Sequence, residues 1–545
     1  MLRKILFISA FISLVTVGCK KDFLDQNVDP NYPSSIPPSK VLPAALGKTA
    51  YLMIDQSLDF NNIWMGFWSF SSTYGIPANE RSYDYPTSST TAKQAFFSNV
   101  YSNAYDYQNI ITQSVASNNK AMEGIGRIMK SMVMQMVVDV YGDVPYTQAF
   151  LGTANQTPKY DNASVIYDSL YNDLTLGIKD IHAAKGAGFP DATSDLMFAG
   201  DSTKWIKFAN TLRLKLLVRQ AGVASKASYI ASKIASDFAP DLSDFLQAKE
   251  IAKINPGYNN STAAKQSPYW NLYGYSTTNT VTAGSEMDYY RGGINAINFW
   301  GNQNDLRLLQ FMDYVSYNGT GVLAPVGGKA VDPSFYNYVQ STQLSSSALA
   351  FIFAGTEMGT APVAAAGYAL PSAFSNLSTN QALKIRTAAD DALIFSDFES
   401  LFLQAEAVQR GWFPAGDAQT LFTSAVAQSF SYDFDGPLGA GAGAAIATDL
   451  VPTADNDWGT ATDPIKLIIT QKYMAMACYN NVEPWTEYRR TGFPDVVKST
   501  TASAASKGNI PFRYLYPQRE YSVNSANVPK QSSGDQFVSK LFWMP

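Results

Sequence analysis

One thiol in this chain is placed for covalent lipid chemistry. Met1-Leu2-Arg3-Lys4 opens with two cations, Ile5 to Val17 runs uncharged and largely apolar, and Gly18-Cys19 follows directly. This order is the n-region, h-region and small-residue cleavage site of a secretory signal, with a cysteine where a lipoprotein signal peptidase leaves the new N-terminus. Gly18 suits a lipobox, although Thr16 stands where leucine is commoner. The apolar run of 13 residues is shorter than the roughly 20 a membrane-spanning helix needs. The expectation is a signal peptide over 1–18, a lipidated Cys19 as the first mature residue, and a polar, proline-rich tether to residue 40. One acyl chain, at about 0.8 kcal/mol per buried methylene, holds a protein only reversibly. The two or three chains of a bacterial lipoprotein make a durable membrane anchor.

Other reactive constellations are mostly missing. His182 is the single histidine, so H-E-x-x-H metal sites are excluded, and a Ser/His/Asp triad would have to use a residue set among polar neighbours in an expected helix. No G-x-S-x-G elbow occurs. Gly47-Lys48-Thr49 imitates the end of a P-loop, but position 42 is leucine where that loop requires glycine. Asp455-x-Asp457-x-Gly459 with Asp463 resembles a fragment of a calcium loop whose glycine comes one position early and whose terminal glutamate is missing. It reads as a solvated acidic loop, with structural calcium as the alternative and no other cofactor implied. Paired carboxylates of the kind a glycosidase uses are a matter of distance in space, which sequence does not display.

The elements that would position functional groups are mainly helices. Met129, Met132, Val133, Met136, Val137 and Val140 recur at helical spacing, an apolar stripe that reads as packing rather than metal binding. Trp205, Phe208, Ala209, Leu212 and Leu216 repeat the pattern behind the capping cluster Asp201-Ser202-Thr203. Phe398, Leu401, Phe402, Ala405 and Val408 do so again and stop at Gly411, with a second helix expected near 417–430. Asp463-Pro464 opens another helix through Met476, and further helices are expected near 41–57, 92–117 and 163–183. Short turns between such segments make stacked antiparallel pairs. From about 253 to 380 the periodicity weakens while Gly, Asn, Ser, Thr and Tyr accumulate, so a long loop-rich, aromatic-rich insertion is expected there.

Composition narrows the class. Cys478 is the only cysteine besides Cys19, so processing leaves no intramolecular disulfide and stability must come from a large core. Without Arg3 and Lys4 the mature chain carries 38 basic against 45 acidic side chains, a net charge near −7. No basic stripe appears, which argues against nucleic acid as partner. Charged residues make up 16% and aromatics 13%, a balance that suits neutral, hydrogen-bonding ligands.

An ordered set of segments resembles the SusD/RagB nutrient-binding lipoproteins of the Bacteroidetes outer membrane, in the branch called SusD-like group two. Cys19-Lys-Lys-Asp-Phe-Leu24, Asn27-Val-Asp-Pro-Asn31 and Val41-Leu-Pro-Ala-Ala45 look like that branch's opening. Val138-Asp-Val-Tyr-Gly-Asp-Val-Pro-Tyr146 is similar to its helix-to-loop signature and Gln404-Ala-Glu-Ala-Val-Gln-Arg-Gly411 to its helix-pair signature. The most specific segments are Glu483-Pro-Trp-Thr-Glu-Tyr-Arg-Arg-Thr-Gly-Phe-Pro494 and Pro511-Phe-Arg-Tyr-Leu-Tyr-Pro517.

The resemblance implies one domain over 41–545, mainly α, with tetratricopeptide-like helix pairs as scaffold. That repeat's own W-x2-L-G-x2-Y consensus is not visible here. It implies a non-catalytic lid that captures oligosaccharide or peptide at the cell surface for a SusC-like, TonB-dependent β-barrel transporter. The alternative function is a surface lipoprotein glycoside hydrolase using two carboxylates. For 483–494 the family pattern implies a structural role, with Arg–Glu pairing and turn closure.

Ligand contacts in this family usually come from loop aromatics. A sugar's C–H face packs on a ring while its hydroxyls seek Asn, Gln, Arg or backbone groups. Two aromatic clusters are candidates. The first is Trp64, Trp68 and Tyr74, whose first two members are spaced like a helix face and favour packing. The second holds Tyr269, Trp270, Tyr273, Tyr275, Tyr289, Tyr290, Arg291 and Trp300, where core packing and ligand contact stand as equal alternatives and Trp270 and Trp300 would be the anchor rings if this cluster is the site.

Overall fold

The computed structural model describes residues 36–70, 83, 95–274, 276–278, 290–292, 296, 299–300, 303, 305–307, 315–317, 323–325, 387–448, 450–496, 498–499 and 502–545. Cys19 and the chain to residue 35 lie outside these, as do Tyr74, Tyr275, Tyr289 and most of the expected insertion between 308 and 386.

Helix α1 (Pro38–Met53) begins with Pro38 in its first turn, so the helix starts inside the stretch expected as tether. Proline is tolerated there because the first helical N–H groups have no intrahelical partner. A 3-10 turn capped by Asp55 leads to the short α2 (Asp59–Trp64) and strand β1 (Trp68–Phe70). The two long helices α3 (Phe96–Ala116) and α4 (Lys120–Tyr141) form a hairpin, with the Asn119 side chain accepting from the Met122 N–H. The methionine stripe lies in α4, which is buried on nearly every side, so those residues are packing as expected.

Gly142, at φ +83°, ends α4 and turns the chain into β2 (Val144–Pro145), which pairs antiparallel with β3 (Tyr160–Asp161). Then come α5 (Ala163–Ala184), α6 (Ser202–Arg219) and α7 (Ala227–Asp237). Asp201 caps α6 as expected, accepting from the Thr203 and Lys204 N–H groups. His182 is exposed in the last turn of α5.

Within the expected insertion the described pieces are short: β4 (Ala252–Ile254), α8 (Pro268–Tyr273), β5 (Tyr290–Gly292), β6 (Val315–Tyr317) and β7 (Leu323–Pro325). Strand β8 (Ala392–Phe395) pairs antiparallel with β4 and feeds α9 (Asp397–Gln409), capped by Ser396. The turn at Gly411, φ +76°, then leads to α10 (Ala418–Leu438), one and a half times the expected length. Its apolar positions continue past the expected end, with Phe430 and Phe434 both buried, so the helix carries on to Gly436-Pro437. Helices α11 (Ala442–Ala447), α12 (Pro464–Met476) and α13 (Glu483–Thr491) follow, and the short α14 (Gln518–Val523) and α15 (Asp535–Val538) come last.

The pairs stack in series, α3 on α4, α4 on α5, α5 on α6 and α6 on α9, which packs on α10 and α12. Helix α13 then returns to α2, where Asn61 and Asn62 donate to the backbone and side chain of Asn481 at 2.7 and 2.9 Å. One continuous apolar core runs from Leu42 to Trp543, so a mainly helical chain closes on its own beginning.

Candidate functional site

The described members of the two aromatic clusters meet. Strand β1 pairs antiparallel with β5, setting Trp68 opposite Gly292, Ser69 opposite Arg291 and Phe70 opposite Tyr290. The Trp68 ring meets Tyr273 of α8 edge-on at 5.0 Å, and Phe67 stacks between Tyr473 at 4.4 Å and Trp300 at 6.1 Å. The Tyr273 hydroxyl donates to the Asp59 carboxylate, and the Trp68 Nε1 donates to Cys478 Sγ at 3.2 Å. Trp64 lies against Trp485 and Tyr514, at 5.5 and 5.6 Å.

Burial distinguishes packing from exposure for the described rings. Trp64 and Trp68 are fully buried, in line with their helix-face spacing. Of the two alternatives for the second cluster, packing describes Trp270 and Trp300, each only 1% exposed, and Tyr273 is buried with them. The physical reason is that α8 is tied down at its start: the Ser267 N–H donates to the Ala388 carbonyl and Trp270 packs on Ala388. Its rings are thus pressed onto the scaffold. Tyr290 and Arg291 sit on the backbone of β5, while Tyr74, Tyr275 and Tyr289 fall outside the described residues.

Beneath this wall lies a buried ionic network. Glu483 accepts from Lys472 at 2.6 Å and from Lys215 and Arg219 at 2.8 Å. Glu487 accepts from Arg219 at 2.7 Å, from Lys472 at 3.0 Å, and from Arg490, whose fork also holds Glu406 at 2.7 Å through two parallel bonds. Lys215 reaches Glu399 at 2.7 Å, and Arg219 stands 3.6 Å from Asp139. Burial opposes ionisation of Glu483, yet Arg219, Lys215 and Lys472 outweigh it and hold the carboxyl well below its usual range. For Glu487 the same contest, against Arg490, Lys472 and Arg219, ends at about 2. Burial wins for Glu399 and Asp139, which are pushed up.

Arg489 turns the other way, donating at 2.8 Å to the carbonyls of Asp139 and Phe512 and stacking 3.3 Å over Trp485. The 483–494 segment therefore does the pairing and closing expected of it. Sequence reasoning missed Lys215, Arg219, Lys472, Glu399 and Asp139. Their signal was a charge inside an apolar run, as Lys215 and Arg219 are among Leu212, Leu214, Leu216, Leu217 and Val218. These clustered carboxylates are neutralised and sealed from solvent, an arrangement suited to packing rather than to proton transfer with a substrate.

Other motifs resolve locally. Lys48 pairs with Asp106 at 2.6 Å, and Thr49 binds Asn103 and Tyr107 inside the α1–α3 contact, so this glycine-lysine-threonine run cradles nothing. Asp463 caps α12 through the Ile465 and Lys466 N–H groups, and Asp457 accepts from the Thr460 N–H. Among the described residues no group of three or more His, Cys, Asp or Glu is placed to hold a metal ion.

The profile of the second SusD-like family, described as starch-binding and associating with the outer membrane, matches residues 30–267 and 329–517. The chain belongs to this SusD-like family. Solved SusD structures share its fold. A SusD-like protein from Bacteroides thetaiotaomicron superposes with a TM-score of 0.66 at 18% identity, over 93% of this chain and 99% of that one. A SusD homologue from Bacteroides fragilis gives 0.67 at 20% identity, over 93% and 99%. A chitin-binding SusD homologue from Flavobacterium johnsoniae gives 0.66 at 18% identity, over 93% and 98%. No curated protein matches by sequence. The family's expected helical scaffold is the one observed, and no helix among the described residues is long and apolar enough to cross a membrane.

Proposed function

We propose that this SusD-like chain is a non-catalytic, lipid-anchored lid at the outer surface of the outer membrane. It captures oligosaccharide, or peptide as the less favoured ligand, and delivers it to a SusC-like TonB-dependent β-barrel. The observation that carries the reading is the family match over most of the scaffold, in a family described as starch-binding and outer-membrane-associated. The chitin-binding SusD homologue of the same fold adds weight to a glycan ligand. Convergence of both aromatic segments on the β1–β5 ladder supports contact there, with the buried rings of Trp64, Trp68, Trp270, Tyr273 and Trp300 as the floor. In this reading Tyr74, Tyr275, Tyr289, Tyr290 and Arg291 supply the contacting groups. Lipid at Cys19 would hold the molecule beside its barrel.

Two measurements test it. Purification of the native lipoprotein in mild detergent should bring a TonB-dependent barrel with it, and recovery without any barrel would overturn the transport role. Calorimetry against a panel of neutral oligosaccharides and peptides should find a ligand whose affinity falls by about 1–3 kcal/mol in Tyr290→Ala or Arg291→Ala. Turnover of any of these glycans by the purified protein would replace the reading with an enzymatic one.

A further inference from the structure

A cleft of about 520 Å³ opens between the start of α6, the β4–β8 ladder and the middle of α10, and it shares no lining residue with the aromatic wall. That volume is in the range of small-molecule sites. Met197, Phe198 and Ile254 make part of the lining apolar. On α10, Gln428, Ser431, Tyr432 and Asp435 fall at i, i+3, i+4 and i+7, so they share the helix face that lines the cleft. The Tyr432 ring is braced by Phe398 at 5.9 Å and Tyr479 at 5.3 Å. The side chains of Gln428 and Ser431 make no hydrogen bond among the described residues, which leaves both available to a ligand.

The charges in the lining cancel, with Lys204, Lys249 and Lys253 set against Asp391, Asp397 and Asp435. Lys253 pairs with Asp391 at 2.5 Å, and Asn255 donates to the same carboxylate at 3.0 Å. Asp397 accepts from the Lys249 and Phe398 N–H groups at 2.6 and 2.8 Å, and one oxygen of Asp435 accepts from the Gly443 N–H at 2.8 Å. An ion of either sign is attracted by one set and repelled by the other, so the lining favours neither. A wholly apolar ligand would strip water from these groups and return no hydrogen bonds. A neutral ligand with an apolar face and many hydroxyls meets both demands.

We propose that this cleft binds a neutral oligosaccharide, as a second site separate from the β1–β5 capture site. The C–H face of a sugar ring covers Met197, Phe198 and Ile254. Its hydroxyls donate to the free oxygen of Asp435 and exchange hydrogen bonds with Gln428 and Ser431. The inference stands on the lining of the cleft and does not require the capture site to be where the preceding section puts it.

The probes are maltotriose, cellotriose and chitotriose, each titrated calorimetrically into the lipid-free mature protein carrying Tyr290→Ala, with trigalacturonate as the ionic control. At least one of the three should bind, with an affinity that added salt leaves unchanged. Adding Gln428→Ala and Ser431→Ala should weaken that binding by about tenfold or more, the loss expected for two hydrogen bonds. Neither side chain has a partner to lose, so the melting temperature should hold. The proposal is overturned if none of the three binds, if the added changes leave affinity as it was, or if trigalacturonate binds more tightly than the neutral sugars. Comparison with the unmodified protein separates the two sites. Binding lost with Tyr290→Ala alone upholds the capture site and sinks this one. Binding untouched by Tyr290→Ala but lost with Gln428→Ala and Ser431→Ala does the reverse.

Discussion

Glu487 is the residue on which the buried network turns, because three cations, Arg219, Lys472 and Arg490, share its two oxygens. Replacing it by glutamine leaves those cations buried and under-compensated, so Glu487→Gln should cost about 3–5 kcal/mol at neutral pH, measurable by denaturant melts. Its folded pKa, about 2, lies below the unfolded value of about 4.3, so its stabilisation is present above that value and lost as pH falls toward 2. The gap between parent and variant should therefore shrink steadily from about pH 4.5 to 2; a constant gap would mean the carboxylate charge is not what stabilises. The same scale settles the tryptophans. Trp270 and Trp300 are buried, so Trp270→Ala and Trp300→Ala should each lower stability by about 3–5 kcal/mol, the cost of emptying a core ring site. Unchanged melting would mean that the rings reach solvent after all.

Helix packing in the first half of the scaffold depends on two glycines facing each other across α4 and α5. A Cβ at Gly124 would lie 2.7 Å from the Gly177 carbonyl and 2.8 Å from Ile181, and one at Gly177 would lie 3.0 Å from the Gly124 carbonyl. Backbone against backbone leaves no rotamer to relax. Gly124→Val should therefore destabilise by at least about 1–3 kcal/mol, as overpacking does. Gly47 in α1 is the contrast, since nothing lies within 4 Å of its added Cβ. There Gly47→Ala should stabilise by up to about 1 kcal/mol through helix propensity alone. Chemical denaturation of the pair checks both signs.

For the whole molecule the governing expectation is attachment. Cys19→Ala should release the protein from membranes into the soluble fraction, and labelled fatty acid should no longer incorporate. Incorporation into the variant would refute lipidation at Cys19. The described scaffold should itself be indifferent to the change, because Cys19 precedes its first helix at Pro38 by a proline-rich stretch. The melting temperature of the released form should match that of the parent in detergent.

Local rules made much of this chain legible before any coordinates. The caps at Asp201 and Asp463, the stripe in α4 and the stop at Gly411 all follow from contacts within four residues, where helical spacing determines which side chains meet. The signal-like N-terminus and the lack of a histidine-based catalytic set are likewise matters of order and composition. The ordered motifs also sufficed for the family. Tertiary structure alone decided three things. It joined the segments around Trp68 and Tyr290 into one ladder, and it turned Trp270 and Trp300 inward. It also brought Arg219 to Glu487, 268 residues further along. An apolar ring or a lone charge has the same appearance in sequence whether it faces water or a partner. Only the helices packed against it set its solvation, and with it the difference between a ligand contact and a core contact.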